Sequence, residues 1–322
     1  MKNILVILAS LIFIYGCGKK NPTNGGGVQP PTVIYPIIDD SPAWHPDGNT
    51  IAYFSLGTTY VDSVSGGYNF SQDSLGIWLI NIDGSERKFL LPGGSLPDWI
   101  PDGSKLAFNG YGTKQIFVAD SNGQNIVQLT TGGRNFFPSW SPDGKRIAWD
   151  TNYNDSLGAN VIWLMDNYGS NKKDISQHQV GEWRMPDWFP DGRIVHIRYP
   201  GGNVFSSEIF IMDSNGQNSL RLTNNFSTDY NPKVSPDGSK ISWSSGASGE
   251  APQIWVMNSN GSGLVKLTIE GGNAPCWSPD GSKIAYSYIG SGYGPQCGSI
   301  WIMNADGTNK KQLTYNWRRR TP

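Results

Sequence analysis

Pro138-Ser139-Trp140-Ser141-Pro142-Asp143-Gly144, followed by Ile147-Ala148-Trp149, reads as strand, tight turn and strand. Proline presets φ in the turn, aspartate bonds its own backbone and glycine supplies a positive φ. The phrase recurs as Pro42-Ala43-Trp44-His45-Pro46-Asp47-Gly48 with Ile51-Ala52-Tyr53, and as Pro97-Asp98-Trp99-Ile100-Pro101-Asp102-Gly103 with Leu106-Ala107-Phe108. Three further copies centre on Pro190-Asp191-Gly192, Pro236-Asp237-Gly238 and Pro279-Asp280-Gly281. Each of the six is followed by a second apolar run, such as Ile77-Trp78-Leu79-Ile80 or Ile300-Trp301-Ile302-Met303. An Asp-Gly or Asn-Gly turn usually comes next (Asp83-Gly84, Asn122-Gly123, Asn215-Gly216, Asn260-Gly261, Asp306-Gly307), a strong hairpin signal.

The turn aspartates are spaced 55, 41, 48, 46 and 43 residues apart. Periods in the forties with four strands per unit predict propeller blades. The expected fold is all-β: a six-bladed β-propeller of four-stranded antiparallel blades over residues 33–314. The blades are expected at about 41–91, 96–130, 137–176, 185–223, 231–268 and 274–314. A stacked solenoid is the competing architecture. No unit resembles a polar cap, which favours a closed ring. Val33 to Tyr35 offers an outer strand for closure, although the sixth unit already has its own fourth strand.

Composition agrees. The 322 residues include 40 Gly, 21 Pro and 13 Trp, with only 16% charged residues. That mixture implies many turns and a large aromatic core rather than charged helices. A net charge of -1 gives no global attraction to nucleic acid or anionic membrane, so no nucleic-acid partner is expected. Three cysteines and three histidines leave little for a metal centre, and no metal or cofactor is expected.

Residues 1–16 read as a signal peptide. Lys2 is the positive region and Ile4 to Tyr15 the apolar one, too short for the about 20 residues that span a bilayer. Ile14-Tyr15-Gly16-Cys17 resembles a bacterial lipoprotein signal, although Tyr15 departs from the usual small or β-branched residue. The resemblance implies lipid on Cys17, and more than one acyl chain anchors stably. Gly18, where Asp would signal retention, implies the outer membrane. An ordinary cleaved signal is the alternative. Residues 17–32 then form a flexible tether and residues 315–322 a basic tail.

The repeat Pro-x-Trp-Ser-Pro-Asp-Gly followed by Ile-Ala resembles that of TolB-type β-propellers. It also occurs in propellers of prolyl oligopeptidase-like enzymes and of some pectate-degrading lyases. The resemblance covers residues 33–314 and is specific for fold, not for activity. It implies a stand-alone propeller on a lipid tether, without the N-terminal partner-binding domain of TolB.

Repeat residues belong first to structure. Trp44, Trp99, Trp140, Trp188 and Trp277 share one slot, with Val234 in unit five, and are expected between blades. Asp120-Ser121-Asn122-Gly123 and Asp213-Ser214-Asn215-Gly216 faintly resemble calcium loops, but no bidentate glutamate follows. No Gly-x-Ser-x-Gly or His-Glu-x-x-His motif occurs, so no catalytic residues are expected. Cys276 and Cys297 are expected near one rim of unit six, where export permits a disulfide.

The two turn motifs mark one rim. The variable loops of the opposite rim are the expected binding face. The candidates there are Tyr60, Tyr68 and Phe70; Arg134, Phe136 and Phe137; His178, Glu182, Trp183 and Arg184; and Tyr230 and Tyr293. These readings favour a non-catalytic envelope lipoprotein serving as a protein-interaction scaffold. A carbohydrate-binding or lytic propeller, or an accessory propeller of a separate hydrolase, are the alternatives.

Overall fold

The computed structural model describes residues 38–56, 59–61, 68–70, 75–153, 159–176, 182–199, 206–225, 227–247, 249–288 and 298–315, with backbone alone at 59–61 and 68–70. Contacts divide the chain into Met1–Thr32 and Val33–Pro322, and the account below concerns the second unit. The signal peptide, the tether, Val33 to Tyr35 and Arg318 to Arg320 lie outside the described residues.

Six four-stranded antiparallel sheets follow one another along the chain. Blade 1 holds β1 (Asp39–Trp44), β2 (Thr50–Ser55), β5 (Gly76–Asn81) and β6 (Lys88–Pro92), with a small hairpin of β3 (Thr59–Val61) and β4 (Tyr68–Phe70) between β2 and β5. Blade 2 holds β7 (Gly94–Trp99), β8 (Lys105–Gly110), β9 (Ile116–Asp120) and β10 (Val127–Gln128). Blade 3 holds β11 (Asn135–Trp140), β12 (Arg146–Thr151), β13 (Val161–Asp166) and β14 (Lys173–Asp174). Blade 4 holds β15 (Trp183–Trp188), β16 (Ile194–Arg198), β17 (Glu208–Met212) and β18 (Leu220–Arg221). Blade 5 holds β19 (Thr228–Val234), β20 (Lys240–Gly246), β21 (Gln253–Asn258) and β22 (Val265–Lys266). Blade 6 holds β23 (Asn273–Trp277), β24 (Lys283–Tyr288), β25 (Ser299–Asn304) and β26 (Lys311–Gln312). The first strands touch in the cyclic order β1, β7, β11, β15, β19, β23 and back to β1, so the fold is a closed propeller with these strands innermost.

The second strands are apolar along nearly their whole length because a neighbouring blade covers each face. Ile51, Ala52 and Tyr53 in β2 and Ile284 and Ala285 in β24 are buried to 0–1% exposure. The turn aspartates behave as read: Asp47, Asp102, Asp143, Asp191, Asp237 and Asp280 each accept the amide two residues on, at 2.8–3.1 Å. Their glycines take positive φ, as Gly48 and Gly103 do at 73°.

The outermost strands pair over only two residues in blades 2 to 6, and a pair that is buried except at half-buried Leu222 follows them, Leu-Thr in blades 2, 4, 5 and 6 and Ile175-Ser176 in blade 3. Thr130, Thr223, Thr268 and Thr314 each accept, on Oγ1, the amide of an isoleucine at the first or second position of the third strand, at 2.8–2.9 Å. The threonine slot is thus a clasp between third and fourth strands.

The innermost strands begin upstream of the expected blade starts because each contains a bulge. Ser41, Leu96, Phe137, Met185, Asn231 and Ala274 sit at these bulges with φ of 49–55°. A bulge inserts a residue and frees an amide. The amides of Ser41, Met185 and Ala274 donate to the second strand of the preceding blade, at Ser287 Oγ (3.2 Å), Asp150 Oδ2 (3.0 Å) and Ser244 Oγ (3.0 Å). The bulges therefore couple blade to blade.

Among the described residues, blades 1 and 6 each consist of their own four strands. Blade 1 meets blade 6 through Asp39 N–H to Gly298 O (2.6 Å), Trp44 N–H to Cys276 Sγ (3.3 Å) and Lys311 Nζ to Asp83 O (3.1 Å).

Candidate functional site

The residue before the tryptophan slot in each innermost strand forms a column: Ala43, Asp98, Ser139, Asp187, Lys233 and Cys276. Three of these side chains accept the amide of the next blade's slot residue. Asp98 Oδ2 takes Trp140 N–H at 2.8 Å, Asp187 Oδ2 takes Val234 N–H at 2.8 Å and Cys276 Sγ takes Trp44 N–H. Lys233 answers the two carboxylates. Its Nζ lies 2.9 Å from Asp187 Oδ1 and 3.7 Å from Asp98 Oδ1. Blades 2 and 5 are diametrically opposed in a ring of six, so this ion cluster bridges the central channel at that level. Ser139 Oγ adds a hydrogen bond to Asp187 at 3.2 Å.

Burial pushes the Asp98 carboxyl up to about 6 against the pull of Lys233, with Asp187 adding like-charge repulsion. The two carboxylates hold the Lys233 ammonium well above its ordinary range despite desolvation. Burial likewise raises the Cys276 thiol to about 11. Among the described residues no group of three His, Cys, Asp or Glu stands poised for a metal.

Cys276 is half-buried in β23, paired with Ala285 of β24, and the expected disulfide partner, Cys297, lies outside the described residues.

Of the rim candidates, Arg134 is exposed between blades 2 and 3, with Phe136 and Phe137 half-buried behind it. Glu182 is half-buried. Trp183, Arg184 and Tyr230 belong to innermost strands and are 0%, 1% and 8% exposed, so they are not surface contacts. Arg184 Nε stands 3.7 Å from the fully buried Asp150 carboxylate, whose pKa burial raises to about 6. Trp183 stacks on His196 at 4.6 Å with the Arg198 guanidinium 4.7 Å from its ring, and burial pushes His196 down to about 3. Cys17, His178 and Tyr293 lie outside the described residues, as do the side chains of Tyr60, Tyr68 and Phe70.

The same rim carries two aromatics that sequence reasoning missed. Tyr111 and Tyr153 follow the second strands of blades 2 and 3 and are 43% and 41% exposed. Tyr111 stacks on Phe54 of blade 1 at 5.6 Å, and Tyr153 meets Trp163 edge-on at 5.8 Å. Arg134 lies beside the second: its amide donates to Asn152 Oδ1 at 2.6 Å. Their signal in the sequence was an aromatic just past the last buried residue of a second strand.

A TolB beta propeller domain family model matches residues 136–322, more than half the chain. An uncharacterized protein of Agrobacterium fabrum is 27% identical over 253 residues, 65% of this chain and 85% of that protein. A TolB homologue of Chlorobium luteolum is 26% identical over 48% of this chain but only 34% of its own length. The TolB crystal structure from Acinetobacter baumannii shares the fold at 22% identity and a TM-score of 0.63, covering 89% of this chain and 65% of that one. Blades 1 and 2, outside the matched segment, repeat the turn aspartate and the bulge of the other four and the slot tryptophan of three of them, and the chain belongs to the TolB β-propeller domain family.

Proposed function

We propose that this propeller is a non-catalytic protein-interaction scaffold of the cell envelope, held by lipid on Cys17 and facing the periplasm or the cell surface. The observation that carries the reading is the variable-loop rim, where Tyr111, Tyr153 and Arg134 stand exposed on adjacent blades. Tyr and Arg are the residue types that concentrate binding energy at protein interfaces, and rigid rings present them at low entropic cost. The ion cluster behind them bridges the channel, so a partner meets a floor rather than a through-pore.

A photo-crosslinking residue at Tyr111 or Tyr153, in the full chain in its native envelope, tests the proposal. A discrete crosslinked protein is expected from these positions and not from Leu264, an exposed residue next to the outer strand of blade 5. Identical product patterns from all three positions would refute the rim as the interface. Cys17→Ala is expected to move the protein from the membrane fraction to the soluble one.

A further inference from the structure

The opposite rim, where the turns lie, holds a cleft between blades 2 and 3 of about 710 Å³. That volume falls in the range of small-molecule sites, roughly 300–1,000 Å³. Its floor is apolar: Ile100, Val118, Leu129 and Trp140 line it and are each at most 9% exposed. Tyr168 forms one wall and is 83% exposed.

Tyr168 breaks the repeat. The same turn position holds Asp83, Asn122, Asn215, Asn260 and Asp306 in the other blades. Each of these accepts the amide two residues on, at 2.8–3.0 Å. A phenol has no oxygen within reach of that amide, so blade 3 keeps the backbone bonds of the turn but gives up its side-chain cap and exposes a large ring instead. Departures from a local rule without local compensation concentrate at functional sites.

The edge of the cleft fixes the ligand's chemistry. Lys105 and Asp120 neutralise each other at 2.8 Å. Asp102 and Asp143 make their turn bonds through Oδ1, which leaves Oδ2 as an acceptor. Asn125 and Asn167 add amides, and Lys145 an ammonium. Three carboxylates (Asp102, Asp120 and Asp143) and two ammoniums (Lys105 and Lys145) edge the apolar floor close to balance, so the site has no strong preference for an anion or a cation. A purely apolar ligand would desolvate this edge without replacing its hydrogen bonds. A molecule with many hydroxyls and one apolar face meets both demands: the face lies on the tyrosine ring and the hydroxyls serve the carboxylates and amides.

We infer that the cleft between blades 2 and 3 binds a neutral oligosaccharide, with Tyr168 as its stacking platform. The site is separate from the protein-binding rim and does not depend on it.

The test is saturation-transfer NMR on the full chain with four tetrasaccharides, those of β-glucose, α-glucose, N-acetylglucosamine and mannose. Each is used at about 1 mM, where a weak specific site still loads. At least one is expected to bind, with Tyr168→Phe within about threefold and Tyr168→Asn weakened at least tenfold, as for loss of about 1.4 kcal/mol. Tyr168→Asn restores the turn acceptor, so its melting temperature is expected to hold or rise by about 1–3 °C, which separates lost binding from lost fold. Silence from all four sugars, or undiminished binding by Tyr168→Asn, would overturn the inference.

Discussion

Replacing Lys233 by methionine removes the ammonium that bridges the channel while keeping most of the side chain's bulk. At an effective dielectric near 20, charges 2.9 and 3.7 Å apart attract by about 6 and about 4 kcal/mol. Desolvation offsets most of that, and removing one partner of a fully buried pair costs about 3–5 kcal/mol net. Here the three side chains keep 14–29% of their exposure, so the expected loss is smaller, about 2–3 kcal/mol. In a domain of this size that corresponds to a melting point lower by roughly 4–10 °C. The loss should also depend on pH. Without Lys233, Asp98 and Asp187 repel each other when both are ionised, and a proton on either relieves the repulsion. Urea unfolding of wild type and Lys233→Met at pH 7.5 and pH 5.0 is the assay. The gap between the two proteins should narrow at the lower pH. Combining Asp98→Asn and Asp187→Asn with Lys233→Met should recover most of the stability, since a neutral column has no orphan charge. A loss under about 0.5 kcal/mol at pH 7.5, or a loss that is the same at both pH values, would refute the claim that the cluster is a desolvated ionic bridge.

Three further outcomes follow from the same geometry. Asp98, Asp150 and Asp229 have folded-state values raised to about 6, so the folded chain holds extra protons between roughly 3.8 and 6 and gains stability as pH falls through that window. His196, lowered to about 3, opposes this below its unfolded value, while Asp237 and Asp280, lowered to about 2, withdraw support only in stronger acid. Three groups outweigh one, and stability measured by urea at fixed temperature should be greater at pH 5 than at pH 7. Arg184→Ala should destabilise the fold by about 3–5 kcal/mol in the same assay, because it strands the Asp150 carboxylate; a surface contact would change stability by no more than about 0.5 kcal/mol. Cys276 should resist maleimide at pH 8 in native protein and label fully in urea, as peptide mass spectrometry can show, because its thiol is held to about 11 and serves as an acceptor for Trp44.

The blades were legible because their turns are local chemistry. Pro-Asp-Gly needs only its own few residues to define a bend, and every copy made the bend it announced. The bulges were not legible. Leu96, Phe137 and Met185 are bulky residues at positive φ, where a sequence reading looks for glycine or asparagine. At Met185 the preceding blade takes the freed amide, on Asp150, and no window of one repeat contains that partner. The missed bulge moved the expected start of each innermost strand, and that is why Trp183, Arg184 and Tyr230 were assigned to a loop rim when they are walls of the core.

The channel cluster was hidden for a different reason. Asp98, Asp187 and Lys233 are far apart in sequence, and each alone looks like an ordinary polar residue beside a tryptophan slot. Stacking the six repeats and reading down a column brings them together. In a ring, a column is a circle in space, so a column that mixes Asp, Lys, Ser and Cys beside an almost invariant tryptophan slot must be a circle of interacting groups. The same reading isolates Tyr168, the lone aromatic in a column of turn-capping Asp and Asn. Turn and core columns are under the same physical demand in every blade and should agree. A column that disagrees is answering to something outside the blade: to the opposite side of the channel for Lys233, and to a ligand in the cleft for Tyr168. The informative residues of this chain are therefore where its repeated phrase changes, on either rim, and comparing repeats within one sequence finds them without any other protein.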